Sequence, residues 1–165
     1  YYASSNAVFT ALTDPRDVMV SEARRVYFLL YQPTWLPVLC LNCTSLSCPF
    51  VQRFTGAPAT GEAKEGEAWS WMDGAIHGTY EVLLPGEAIV TSWRFKDWAV
   101  GVASTVTITL TPSGADACVL KLKQTNIPET DGHGNGNVET TVTNGWKGFI
   151  FAAIKARLGF GMEEL

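Results

Sequence analysis

From Trp69 onward the hydrophobic and polar positions alternate with a period of two, the signature of half-buried strands. Ile76, Tyr80, Val82 and Leu84 share one face and His77, Thr79 and Glu81 the other, with Asp73-Gly74 as the turn before them. Pro85-Gly86 turns the chain, after which Ile89, Thr91, Trp93 and Phe95 alternate with Val90, Ser92, Arg94 and Lys96. Thr105 to Thr111 alternates most strictly. Pro112-Ser113-Gly114 then leads to a strand that opposes Cys118, Leu120 and Leu122 to Val119, Lys121 and Lys123. These four segments predict an antiparallel meander.

Helical spacing appears at the two ends of the chain. Ser4 or Ser5 can cap a short helix through Leu12, and Pro15 suits the first turn of a second helix ending near Arg25. Near the other end, Asn144 can cap a helix whose apolar stripe is Trp146, Phe149, Ile150, Ala153, Ile154 and Leu158, closed by Gly159 and Gly161. Such a stripe needs an apolar surface to lie on, and the inward face of the meander supplies one. The expected fold is therefore α+β: a curved antiparallel sheet wrapped around a long C-terminal helix. Trp93, Phe95, Trp146, Phe149, Ile150 and Ile154 are expected in its core.

Residues 26–52 break both patterns. The segment carries no charge between Arg25 and Arg53, yet Pro33, Pro37 and Pro49 and several polar residues interrupt it, so a membrane helix is not expected. Every Val codon begins GT, as introns do, and Gln52 can be encoded CAG, as introns end. The Phe, Leu, Ser, Pro and Cys between them are what a pyrimidine-rich tract would encode. We therefore expect residues 26–52 to be an insertion, translated from an in-frame intron, that stands outside the core fold.

The 165 residues suffice for a single domain, expected over residues 1–165 as a fragment of a longer chain. With 47% hydrophobic and 17% charged residues the chain can bury a core. A net charge of −4 is the wrong sign for gripping nucleic-acid phosphates. Cys40, Cys43 and Cys48 crowd into one short stretch without a nearby His, which argues against a zinc site. Asp131, His133, Asn135 and Gly136 imitate the first half of a calcium loop, but Val142 stands where the bidentate Glu is needed. No Ser-His-Asp order, phosphate loop or nucleophile elbow appears, and no cofactor or metal is expected.

With the insertion set aside, the chain resembles the C-terminal domain of the activator of heat-shock protein 90 ATPase. The resemblance rests on Leu12-Thr13-Asp14-Pro15, on Asp73-Gly74 with Gly78, on Trp93-Arg94-Phe95-Lys96 with Trp98 and Gly101, and on Gly145-Trp146 with Phe151, Ile154, Lys155, Leu158 and Gly159. It covers about residues 5–25 and 53–161 and implies a START-like, helix-grip fold. The family's paired glycines before its Phe-rich strand are replaced here by Gly66-Glu67-Ala68-Trp69. The resemblance implies a cytoplasmic co-chaperone that binds heat-shock protein 90 and stimulates its ATPase by favouring the closed state, with no catalytic residues of its own. Arg94, Lys96 and Trp98 are the expected partner-binding residues, because Arg and Trp concentrate binding energy at interfaces. The alternative is a START-like domain that binds a small apolar ligand, with Gly78 making room on the inward face.

Overall fold

The computed structural model describes residues 24–31, 48–113, 117–158 and 161–164, with side-chain surroundings over 51–113 and 118–157. The described elements are β1 (Arg24–Tyr31), α1 (Cys48–Thr55), β2 (Ala59–Thr60), β3 (Ala68–Trp71), β4 (Ile76–Leu84), β5 (Ala88–Phe95), β6 (Ser104–Pro112), β7 (Ala117–Thr125), α2 (Val138–Asn144), a π-helical segment (Gly145–Phe151), α3 (Ala152–Leu158) and β8 (Gly161–Glu164). The strands form one antiparallel sheet in the order β2-β3-β4-β5-β6-β7-β1-β8. β4 to β7 are the four strands that the alternation predicts. The helical arm from Val138 to Leu158 lies against the inward face, where Trp93 and Trp146 meet with ring centroids 4.7 Å apart.

Alternation gives the correct inward residues on β5 and β6: Ile89, Thr91 and Trp93 are buried, as are Val106 and Ile108, while Phe95 and Leu110 are partly buried against the same core. β4 departs from it. Ile76 and Tyr80 point inward, but Val82 and Leu84 are exposed and Leu83 packs on the core instead. The register explains this. Tyr80 pairs with Thr91 and Val82 with Val90, so an extra residue, Glu81, bulges out of the ladder and exchanges the two faces beyond it.

Gly78 lies opposite Trp69 on β3. A Cβ there would run into the carbonyl oxygen of Ser92 and come within 2.7 Å of the Trp69 ring. Glycine at this position lets an indole lie across the strand. It leaves no empty space, contrary to the expectation that Gly78 opens a cavity.

The helical arm differs from the predicted helix in start and in phase. It begins at Val138, after Asn137 in the left-handed region (φ 67°), so Asn144 lies inside it and caps nothing. From Gly145 to Phe151 the turns are π-helical, with more residues per turn than an α-helix. An α-helix would bury Trp146, Phe149 and Ile150 together. The wider turn buries Trp146, Ile150 and Phe151, and leaves Phe149 40% exposed. Phe149 is thus not a core residue, while Ile154 is partly buried against the core as expected. Five buried side chains of the arm, Val138, Val142, Trp146, Ile150 and Phe151, contribute on the order of 10 kcal/mol of gross hydrophobic stabilisation, an upper bound.

The uncharged segment 26–52 enters the fold at both ends. Residues 26–31 belong to β1, which pairs with β7 on one side and β8 on the other. Residues 48–52 form most of α1, where Val51 is fully buried next to Phe54. Residues 32–47, including Cys40 and Cys43, lie outside the described residues, as do the helices expected before Arg24. Arg24 and Arg25 themselves are strand, not the end of a helix. Among the described residues, no group of side chains is suited to a metal ion, and no helix is long and apolar enough to cross a membrane.

Candidate functional site

The three residues expected to meet a partner lie at the corner where β5 ends, and the corner is tightly held. The backbone N–H of Lys96 donates to the Ala75 carbonyl (2.9 Å), that of Trp98 to Phe95 (3.2 Å) and that of Val102 to Ala99 (3.1 Å). From the loop after β7, Gly132 N–H donates to the Asp97 carbonyl (2.7 Å). Arg94 reaches along the corner and donates through Nη2 to the carbonyls of Trp98 (2.6 Å) and Ala99 (3.2 Å). Its Nε is buried without a hydrogen-bond partner among the described residues.

Lys96 is exposed and Arg94 half-buried, on the side opposite Trp93, as the alternation requires. Trp98 is different. It is 4% exposed, with its ring edge-on to Phe95 at 5.7 Å, so its indole cannot be offered to a partner from this position. The turn after Phe95 folds the chain back onto the core, and the indole follows it in. What the turn does present is Val100, 97% exposed. The sequence carries one hint of this inversion: Trp98 stands three residues after an inward Phe, within reach of it in a tight turn.

Behind the corner, Trp69, Trp71, Trp93 and Trp146 form one cluster of tilted and edge-on rings. Trp69 lies 4.8 Å from Trp71 and 5.3 Å from Trp93, and Trp146 lies 5.8 Å from Phe151. Buried indole N–H groups need acceptors. Trp69 donates to Thr91 Oγ1 (2.7 Å), and that hydroxyl is within bonding distance of the Thr79 and Ser92 carbonyls. Trp146 donates to Gln124 Oε1 (2.7 Å). Gln124, 1% exposed, donates in turn to Ser104 Oγ (2.7 Å), which donates to the Trp93 carbonyl (2.9 Å). Gln124 occupies the next inward position after Cys118, Leu120 and Leu122, so the period locates it, although its polarity hides it. The Trp93 indole N–H is buried and has no partner among the described residues.

Beside Trp93 lies a cavity of about 160 Å³ between sheet and arm. Met72, Ile76, Trp93 and Phe95 line it from the sheet side. From the arm come Val142, Gly145, Phe149 and Ile150. Met72 sits in the turn between β3 and β4 with φ 55°, a left-handed conformation unusual for a side chain of that size. Gly78 is not among the lining residues.

The loop after β7 holds its own polar groups together. The Asp131 carboxylate accepts from the backbone N–H of His133 and of Asn135 and from Asn135 Nδ2, each at 2.8 Å. These bonds, the Asn135 side chain foremost, lower the Asp131 pKa below its ordinary value. The alternating polar residues that imitate a calcium loop thus converge on one another.

Comparison with known proteins places this geometry. The family described as activator of Hsp90 ATPase homolog 1-like protein matches residues 2–159. The human activator of 90 kDa heat shock protein ATPase homolog 1 is 34% identical over 111 residues, 67% of this chain and 30% of that protein. Its Dictyostelium discoideum counterpart is 36% identical over 113 residues, 68% of this chain and 28% of that protein. The chain therefore matches less than a third of the length of these relatives. Among solved structures, an HSP90 activator from Plasmodium falciparum superposes with a TM-score of 0.78 at 25% identity, covering 86% of this chain and 99% of that one. CalU16 from Micromonospora echinospora, with a TM-score of 0.57 at 19% identity over 81% of this chain and 71% of its own, shares the fold alone.

Proposed function

This chain belongs to the activator of Hsp90 ATPase homolog 1-like family and has its α+β, helix-grip (START-like) fold, and we propose that it works as a co-chaperone module that binds Hsp90 in the cytoplasm and stimulates its ATPase. The observation that carries this reading is the family match across residues 2–159, supported by the likeness to the Plasmodium activator over nearly that protein's whole length. The hydrolytic chemistry stays in the chaperone. The module acts by binding the closed, hydrolysis-competent arrangement more tightly than the open one, and a tenfold shift of that equilibrium needs about 1.4 kcal/mol of differential affinity.

The contact surface is the β5 corner. Arg94 and Lys96 supply positive charge, Val100 supplies apolar area at the tip, and Trp98 supports the corner from beneath. A turn fixed by so many backbone bonds loses little conformational entropy on docking. Charges at the rim of an interface act chiefly on association rate and salt dependence.

Steady-state ATPase measurements on Hsp90 with and without this chain test the reading. Stimulation is expected, and Lys96→Glu is expected to reduce it most at low ionic strength without changing the fold, since Lys96 is exposed. No binding and no change in turnover would refute it.

A further inference from the structure

The chain holds two Asn-Gly dipeptides, Asn135-Gly136 and Asn144-Gly145. An asparagine before glycine readily loses its side-chain amide, because glycine leaves the next backbone nitrogen unshielded. The structure separates the two sites. In the helical arm the Gly145 N–H donates to the carbonyls of Thr141 and Val142, so its nitrogen is engaged in a helical backbone. The Gly136 N–H donates to no acceptor among the described residues. Both Asn135 and Gly136 are exposed, and a Cβ built on Gly136 would meet nothing within 4 Å.

Asn135 is held through the very amide group that such a reaction expels: its Nδ2 donates to Asp131 Oδ2 at 2.8 Å. Two backbone bonds close the loop, from Asn135 N–H to Asp131 Oδ1 (2.8 Å) and from Asp131 N–H to the Asn135 carbonyl (3.0 Å). The same loop rests on the β5 corner through Gly132. Its N–H bonds the Asp97 carbonyl, and a Cβ there would fall 2.6 Å from that oxygen and 3.4 Å from the Ala99 nitrogen.

We propose that Asn135 is a site of spontaneous deamidation, that the Asp131 carboxylate slows the reaction by holding the side-chain amide, and that conversion of Asn135 to a carboxylate loosens the loop from the β5 corner. The Gly136 nitrogen attacks Asn135 Cγ and loses its proton. The N–Cγ bond forms, the Cγ–Nδ2 bond breaks and ammonia leaves, giving a cyclic imide. Water then opens the ring. Addition at Cγ gives aspartate; addition at the Asn135 backbone carbon gives isoaspartate, in which the chain runs through the former side chain. Either product replaces a donor 2.8 Å from Asp131 Oδ2 with a carboxylate, so an attraction becomes a repulsion between like charges. Isoaspartate also takes the Asn135 carbonyl, the acceptor of the Asp131 N–H, out of the main chain. The modification stands whether or not the corner meets Hsp90.

Incubation of the full chain in mildly alkaline buffer, followed by peptide mapping that distinguishes asparagine, aspartate and isoaspartate, tests the proposal. Asn135 should convert to both acids while Asn144 stays intact. Gly136→Ala should slow the conversion without disturbing the fold, since the added methyl group meets nothing and shields the attacking nitrogen. Asp131→Ala should speed it about tenfold, the factor that a hydrogen bond to a charged group is worth. Asn135→Asp, which copies one product, should speed hydrogen exchange at the Gly132 amide severalfold. An intact Asn135, conversion of Asn144 at an equal rate, indifference to Gly136→Ala or Asp131→Ala, or unchanged exchange at Gly132 in Asn135→Asp would each overturn it. If Asp131→Ala fails to fold, the comparison of Asn135 with Asn144 in the unaltered chain decides together with Gly136→Ala. None of these readouts involves Hsp90, so failure here leaves the co-chaperone reading where it stands.

Discussion

Replacing Gln124 with Leu keeps the side chain's approximate volume and removes its amide. In the folded chain that amide accepts from Trp146 Nε1 and donates to Ser104 Oγ, both at 2.7 Å, in a site where Gln124 is 1% and Trp146 4% exposed. Leucine leaves the indole N–H buried with no acceptor, at about 1–3 kcal/mol, and costs Ser104 a neutral hydrogen bond of about 0.5–1.5 kcal/mol. Ser104 keeps its bond to the Trp93 carbonyl, so the loss stops there. The expected destabilisation is roughly 2–4 kcal/mol. Urea unfolding followed by tryptophan fluorescence measures it. With a slope of about 2 kcal/mol per molar, the midpoint should fall by about 1–2 M without a change of slope. The sharper measurement is a double-mutant cycle with Trp146→Phe, in which the two changes should be non-additive by about 1 kcal/mol or more because each removes the same bond. A single-variant cost below about 0.5 kcal/mol, or strict additivity, would refute the assignment of Gln124 as the link between β7 and the helical arm.

Gly78→Ala should destabilise the chain by about 1–3 kcal/mol or prevent folding, because its Cβ meets the Ser92 backbone and the Trp69 ring; an unchanged melting temperature would contradict this. The Asp131 loop should be pH-sensitive. Its carboxyl has a folded pKa below the ordinary value, so its bonds stabilise the loop above the usual carboxylate range and are lost as pH falls through the folded pKa. Hydrogen exchange at the His133 and Asn135 amides should therefore lose protection on acidification below the ordinary carboxylate range, and constant protection would count against it. For residues 26–52 the proposed intronic origin is checked in the transcripts: mature messages lacking the codons for Val26 to Gln52 are expected, and a pool that always carries them refutes the idea.

How much of this was legible depended on whether local periodicity survived. The β5 and β6 faces could be read directly, since alternation there runs unbroken through Trp93 and Val106. It failed on β4 at Glu81, because a bulge is a property of two paired strands and leaves no mark in one of them. Phe149 was misplaced for a related reason, since its exposure follows from a helical winding that residue spacing alone does not reveal. Trp98 looked like an interface residue by composition and is core by geometry. Arg94 and Lys96 could be found as outward residues, but not the backbone bonds that fix their corner. The orphan indole was beyond reach altogether: its neighbours' acceptors, Thr91 and Gln124, come from other strands.

The position of β1 bears on how this molecule is made. Arg24–Tyr31 is held between Ala117–Thr125 and, for its second half, Gly161–Glu164. During synthesis it leaves the ribosome long before either neighbour exists, and closing so large a loop is slow. A nascent strand whose residues 26–31 carry no charge must therefore wait, unpaired and open to aggregation, while the meander assembles without it. A factor that shields this stretch should raise the yield of folded chain more than one that acts after release.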